Sequence, residues 1–139
     1  MPQGRYCIMV VDSQLAVRML ICSQLHDLGY DALACAPNGT AVLARFKLEP
    51  IDAVLIDVES TTCGGMEALR ALRTDPDLRH LPVVLITARA ELETVSAGLA
   101  LGVSGCLIKP PSTKALGASL RRALLGGLDV GSAAGRTRY

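Results

Sequence analysis

An α/β fold, with five parallel strands alternating with five helices in a three-layer sandwich, follows from three features of this 139-residue sequence. Four short apolar runs, Ile8–Val11, Ala53–Ile56, Val83–Ile86 and Cys106–Ile108, lack an alternating polar face, which is the pattern of strands buried on both sides. The segments between them carry apolar residues at helical spacing. Right-handed crossovers then wind the alternation into one parallel sheet with helices on both faces.

Each element has its own signal. After the first run, Leu15, Met19, Cys22, Leu25 and Leu28 recur at helical spacing, and Gly29 supplies a C-terminal stop. Asp31 to Cys35 reads as a short strand, Asn38 or Thr40 can cap a helix through Leu48, and Glu49-Pro50 ends it. The next run delivers Asp57. A glycine-containing loop, Ser60 to Gly65, leads into a helix bearing Met66, Leu69 and Leu72 that stops before Asp75-Pro76. Pro82 opens the following strand. Leu92, Val95 and Leu99 predict an apolar stripe on a fourth helix, weakened by Gly98 at a cost of about 1 kcal/mol relative to alanine, which makes that helix a candidate for mobility. Beyond Lys109-Pro110-Pro111, Ser112 or Thr113 can cap a last helix with Leu116, Leu120 and Leu124 inward and Lys114, Arg121 and Arg122 outward. Residues 1–125 are expected to form one domain, and the Gly/Ala/Ser-rich residues 126–139 a flexible tail or linker.

Composition narrows the function classes. A net charge of +1 without a basic block gives no field for direct nucleic-acid binding. No signal peptide or apolar span of membrane length is visible, so a cytoplasmic protein is expected. Five widely spaced cysteines without a CxxC pair suggest reduced core residues; a reactive thiol is best argued for Cys63, against a passive loop cysteine there. The positive mean hydropathy of +0.38 fits a fully covered sheet, or an exposed apolar dimer face.

The chemistry lies at the strand ends. The four runs finish on Asp12, Asp57, Thr87 and Lys109, and in an open parallel sheet ligands bind beyond the strand carboxyl ends. Asp57 can attack phosphorus to give an acyl phosphate, Lys109 can supply a fixed charge, Thr87 can donate to a phosphoryl oxygen, and Asp12 can hold Mg²⁺. Singly each has a bland reading: a helix N-cap for Asp12, a loop carboxylate, a strand-end hydroxyl, a solvated lysine. No purely structural reason requires all four.

The set Val10-Val11-Asp12, Leu55-Ile56-Asp57, Ile86-Thr87-Ala88 and Ile108-Lys109-Pro110 resembles the receiver domain of two-component response regulators over about residues 6 to 125. The resemblance implies a flavodoxin-like sheet of order 2-1-3-4-5, phosphorylation of Asp57 by a histidine kinase or histidine phosphotransfer protein, and Thr87 and Lys109 as the residues that sense it. It implies a switch of protein-protein interactions rather than an enzyme, acting on a downstream protein or output domain. A cis Lys109-Pro110 bond and a homodimer through the face formed by the fourth helix, the fifth strand and the fifth helix belong to the same expectation. The metal set would be Asp12, Asp57 and Glu59. Ser13 stands where the family carries a second acid, which weakens Mg²⁺ binding unless Asp12 or the Glu59 side chain moves in to replace the lost carboxylate. Thr61 replaces a proline in the loop, Gly65 matches a glycine, and Cys106 replaces the aromatic switch residue. Glu59 and Arg89 are expected to flank the site mouth, and their opposite charges suggest a bridge over the acyl phosphate, against an exposed pair worth little.

Three alternatives bear on the same residues. Ser13 is also compatible with a pseudo-receiver that binds its partner without phosphorylation. Asp57-Val58-Glu59-Ser60-Thr61 faintly resembles the nucleophile motif of haloacid-dehalogenase-type phosphatases, but no acidic pair follows Lys109. A flavodoxin-type cofactor site would need aromatic surface, and the chain has one Phe, three Tyr and no Trp.

Overall fold

Strands form at Cys7–Val11 (β1), Asp31–Cys35 (β2), Ala53–Asp57 (β3), Val83–Thr87 (β4) and Gly105–Ile108 (β5). Helices form at Leu15–Asp27 (α1), Gly39–Leu48 (α2), Gly65–Thr74 (α3), Leu92–Ala100 (α4) and Thr113–Gly126 (α5). The computed structural model describes residues 5–35, 39–59, 65–89 and 91–126. The Asn38 cap, the loop with Thr61 and Cys63, and the tail beyond residue 126 lie outside the described residues.

The five strands pair in parallel in the order β2-β1-β3-β4-β5. This is the sheet order implied by the family resemblance. Pleat alternation divides the core in two. Met9, Val11, Val54, Ile56, Val83 and Leu85 face α3 and the α4 end, where Leu69 and Leu72 pack. Ile8, Val10, Leu55, Val84 and Ile86 face α1 and α5, where Ile21, Leu25, Leu116 and Leu120 pack. The edge strand β5 departs from the two-sided burial expected of it. Its residues are half-buried and Ile108 is 49% exposed, because β5 has a neighbour on one side alone.

Two helical stripes differ from the sequence pattern. On α1, Leu15 and Met19 are 62% and 63% exposed, and the buried face is Ile21 and Leu25 with Val17 and Cys22 beside it. Apolar residues surround this helix, so spacing alone could not choose its inner face. On α4, Leu92 and Leu99 are exposed and Gly98 is the buried residue.

Gly98 therefore has a packing role on the face of α4 that meets the sheet. A Cβ there would lie 2.6 Å from Leu85 Cδ1 and 3.4 Å from Val103 Cγ2. Gly98→Ala is expected to be close to neutral, a helix gain of about 1 kcal/mol offsetting the contact with Leu85. Gly98→Val, with two further methyl groups, is expected to cost about 1–3 kcal/mol by urea unfolding. A valine variant as stable as the parent would contradict this packing.

α5 behaves as its sequence suggests: Ser112 Oγ accepts from Ala115 N at 3.0 Å, and Leu116 and Leu120 are buried. Thr40 lies inside α2 rather than capping it. At the sheet end away from the strand carboxyl termini, Arg73 lines a cavity of about 420 Å³. Its guanidinium donates to the carbonyls of Leu101 (2.6 Å), Leu81 (2.8 Å), Arg79 (3.1 Å) and Gly102 (3.2 Å), tying α3 to the turns before β4 and β5. Among the cysteines, Cys7, Cys22 and Cys106 are free and half-buried rather than fully in the core. Burial pushes all three thiols up, with nearby acids adding to the shift at Cys7 and Cys106. No helix among the described residues is long and apolar enough to cross a membrane.

Candidate functional site

Register determines which strand ends meet. Val11 pairs with Ile56, so Asp12 comes abreast of Asp57; Asp57 pairs with Ile86, and Thr87 with Ile108, so Thr87 and Lys109 lie one and two steps further out. Pleat parity then sorts the side chains. Asp12, Asp57 and Lys109 continue the alternation of Val10, Leu55 and Leu107, which face α1 and α5, whereas Thr87 continues that of Val83 and Leu85 on the other face.

The observed contacts follow that division. Lys109 Nζ lies 3.1 Å from Asp57 Oδ2 and 3.5 Å from Asp12 Oδ2. Both carboxylates are buried, at 1% exposure for Asp12 and 3% for Asp57. Asp57 Oδ1 accepts from Glu59 N at 3.1 Å, and Asp12 Oδ1 accepts from Gln14 N at 2.8 Å. Asp12 thus also shapes the turn into α1, although the N-cap position is Gln14 and no side chain caps the helix there. Arg18 fixes that turn from outside by donating to the Asp12 carbonyl at 2.6 Å. Gln24 donates to the Pro111 carbonyl at 2.7 Å, anchoring the segment after Lys109, where the Lys109-Pro110 bond is cis.

Two residues that the sequence reading passed over, Arg18 and Gln24, therefore support the site from α1. A signal for them existed: both are long polar side chains within the apolar residues of α1, the helix packed beside β1.

Thr87 stands apart. Its Oγ is 2.5 Å from Glu59 Oε2 and 2.7 Å from the Arg89 carbonyl, and it accepts from Arg89 N at 3.2 Å. Glu59 Oε1 accepts from Ala88 N at 2.6 Å. The bridge expected between Glu59 and Arg89 side chains does not form. Arg89 extends into solvent 4.0 Å from Glu91, because the donors at the end of β4 hold the Glu59 carboxylate instead.

The three candidate metal residues, Asp12, Asp57 and Glu59, divide between two sets of contacts. Among the described residues no three His, Cys, Asp or Glu side chains converge as a metal group. Asp12 and Asp57 share Lys109, while Glu59 is turned onto Thr87 and Ala88. A cavity of about 370 Å³ opens above these groups, lined by Asp57, Glu59, Ala88 and Lys109 together with Ser13, Gln14 and Arg89.

Electrostatics match the geometry. Burial raises the Asp57 carboxyl above its ordinary value, and the Asp12 charge adds to that, against the lowering effect of Lys109 and the Glu59 amide. At Lys109, burial disfavours the ammonium, but Asp57 and Asp12 outweigh it and raise its pKa. Glu59 is lowered: burial acts upward, and hydrogen bonds from Thr87, Ala88 and the Arg89 backbone overcome it. Two carboxylates and one ammonium leave a site carrying one excess buried negative charge, with an open approach from the cavity.

Comparison with known proteins gives a consistent result. The profile of the response regulator receiver domain family matches residues 8–121. Chemotaxis protein CheY of Pseudomonas aeruginosa is 33% identical over 109 residues, which span 78% of this chain and 88% of that protein. The protein-glutamate methylesterase/protein-glutamine glutaminase 2 of Caulobacter vibrioides is 33% identical over 116 residues, which span 83% of this chain and 33% of that protein. Among solved structures, CheY4 of Vibrio cholerae superposes with a TM-score of 0.80 at 26% identity, covering 87% of this chain and all of that one.

Proposed function

The chain belongs to the response regulator receiver-domain family, and on that premise we propose that Asp57 accepts a phosphoryl group and that Lys109 and Thr87 sense it. The donor is a phosphohistidine on a kinase or phosphotransfer protein. Asp57 Oδ attacks phosphorus, the P–N bond breaks as the O–P bond forms, and the imidazole leaves and takes up a proton. The observation that carries this reading is the Lys109 ammonium 3.1 Å from a nearly buried Asp57 carboxylate at the floor of an open cavity. Lys109 holds Asp57 in place and meets the charge that the transferred group brings.

The residues also fit a hard divalent cation such as Mg²⁺. Asp12 Oδ2 is buried with the Lys109 ammonium 3.5 Å away but no hydrogen bond, and a carboxylate oxygen of this kind suits an ion shared with Asp57. When bound, the ion neutralises charge on the transferring oxygens. Ser13, exposed at the cavity, offers a hydroxyl where a third carboxylate would bind more strongly. Glu59 can join only after leaving Thr87.

Phosphorylation adds about −2 charge at Asp57. The output is a change in protein-protein binding rather than catalytic turnover, in the cytoplasm, on a downstream protein or an output domain. Exposed Leu92 and Leu99 on α4 and Ile108 on β5 support a homodimer through the α4-β5-α5 face.

Incubation with Mg²⁺ and acetyl phosphate tests the assignment. Intact mass should rise by one phosphoryl group in the parent chain and not in Asp57→Asn. No gain at high Mg²⁺ would favour an interaction module that works without phosphorylation.

A further inference from the structure

We propose that Glu59 is a built-in anionic occupant of the oxyanion site formed by the Thr87 hydroxyl and the Ala88 amide, which a phosphoryl group on Asp57 must displace. This rests on the reading of Asp57 as the acceptor. Both carboxylate oxygens are engaged, Oε2 by Thr87 Oγ at 2.5 Å and Oε1 by Ala88 N at 2.6 Å. A glutamate at a cavity rim ordinarily remains solvated, because fixing its long side chain costs rotamer entropy. Here it instead bridges the ends of two adjacent strands, 28 residues apart in sequence. The exposed Arg89 guanidinium, which could pair with it, extends toward Glu91 instead.

Glu59, Ala88, Asp57 and Lys109 line one cavity. A phosphoryl group on Asp57 enters that space with oxygens of the same acceptor chemistry as a carboxylate. The Ala88 amide has one hydrogen and so does the Thr87 hydroxyl, and neither can serve two oxyanions at full strength. Repulsion between the phosphoryl dianion and the carboxylate acts in the same direction.

Two consequences follow. Oxyanion binding at Asp57 competes against an internal ligand, so the site fills less readily than its donors alone would permit. The Thr87–Arg89 turn is also ordered before modification, since Glu59 already holds both donors in place. Modification then exchanges one anion for another at the end of β4, and the residue released is Glu59.

The test uses the full chain, Glu59→Ala and Glu59→Gln, with fluoroberyllate in Mg²⁺ as a tetrahedral phosphoryl analogue that binds a carboxylate oxygen. The amide of Ala88 is followed by ¹H–¹⁵N NMR. In the parent the Ala88 proton should resonate downfield and change little on titration. In Glu59→Ala it should move upfield and return downfield when fluoroberyllate binds, with binding about tenfold tighter than in the parent, as expected for loss of one charge-assisted competitor. Glu59→Gln, which keeps one carbonyl oxygen and loses the charge, should fall between them. An Ala88 proton unmoved by Glu59→Ala, or equal fluoroberyllate affinity in parent and variant, would overturn the proposal while leaving Asp57 as acceptor. Absence of uptake in every form, with no acyl phosphate on Asp57, would instead overturn the acceptor reading and this proposal with it.

Discussion

Replacing Lys109 with methionine is expected to lower the stability of the unmodified protein by about 3–5 kcal/mol at neutral pH, the range seen when one partner of a buried ion pair is removed. The ammonium is the counter-ion of two carboxylates, 3.1 Å from Asp57 and 3.5 Å from Asp12. With those carboxylates at 3% and 1% exposure, solvent cannot replace it. Methionine keeps the packing of the stem and removes the charge, so the loss reports electrostatics rather than a cavity. The pH dependence has a defined sign. Burial already raises the Asp57 carboxyl, and loss of Lys109 removes the main groups lowering it. An acid whose folded pKa exceeds its unfolded one takes up a proton more readily when folded, so stability falls as pH rises through that interval. The penalty in Lys109→Met should therefore shrink toward the ordinary carboxylate range. Urea unfolding at pH 7 and pH 5 checks both statements, and a loss below about 1 kcal/mol, the scale of an exposed pair, would contradict them.

Much of this site was legible because strand ends are written directly into the chain. Val11, Ile56, Ile86 and Ile108 each close an apolar run, and the next polar residue must emerge at the sheet's carboxyl edge. Register and pleat then divide those residues, bringing Asp12, Asp57 and Lys109 together on the α1/α5 side and directing Thr87 to the other. That division depends on strand pairing, which no single run specifies.

Surface side chains were less legible. Glu59 and Arg89 have opposite charges at neighbouring strand ends, yet charge alone did not decide their pairing. Two donors at the end of β4, the Thr87 hydroxyl and the Ala88 amide, capture the carboxylate at short range, and no sequence pattern marks a backbone amide as free. Helix faces failed for a different reason. α1 and α4 carry apolar residues on more than one side, so the inner stripe is chosen by which residues the sheet can accommodate. At Gly98 the sheet leaves little room for a side chain, because a Cβ there would meet Leu85.

Asp57→Asn is expected to make the unmodified protein more stable, even though it removes the proposed acceptor. The buried cluster contains two carboxylates and one ammonium, and Asp57 is the member whose ionised form burial and Asp12 disfavour. Asparagine removes that charge and leaves Lys109 paired with Asp12 alone. Its carbonyl can still accept from the Glu59 amide, so no donor is stranded. Exchanging this charge for a neutral isostere should add about 1–2 kcal/mol at pH 7, the scale on which a carboxyl held above its ordinary value disfavours its own ionised form. The gain has the sign of the linkage: it is largest above the raised Asp57 pKa and fades as pH falls and the parent carboxyl protonates. Combined with Lys109→Met, Asp57→Asn should recover a large part of the stability lost, because only one carboxylate then remains without a counter-ion. The two substitutions share a direct contact, so a coupling energy of about 0.5–3 kcal/mol is expected from the double-mutant cycle. Additive effects would mean that Lys109 and Asp57 do not interact energetically, and an asparagine variant less stable than its parent at neutral pH would mean that the Asp57 charge is net stabilising in the unmodified site.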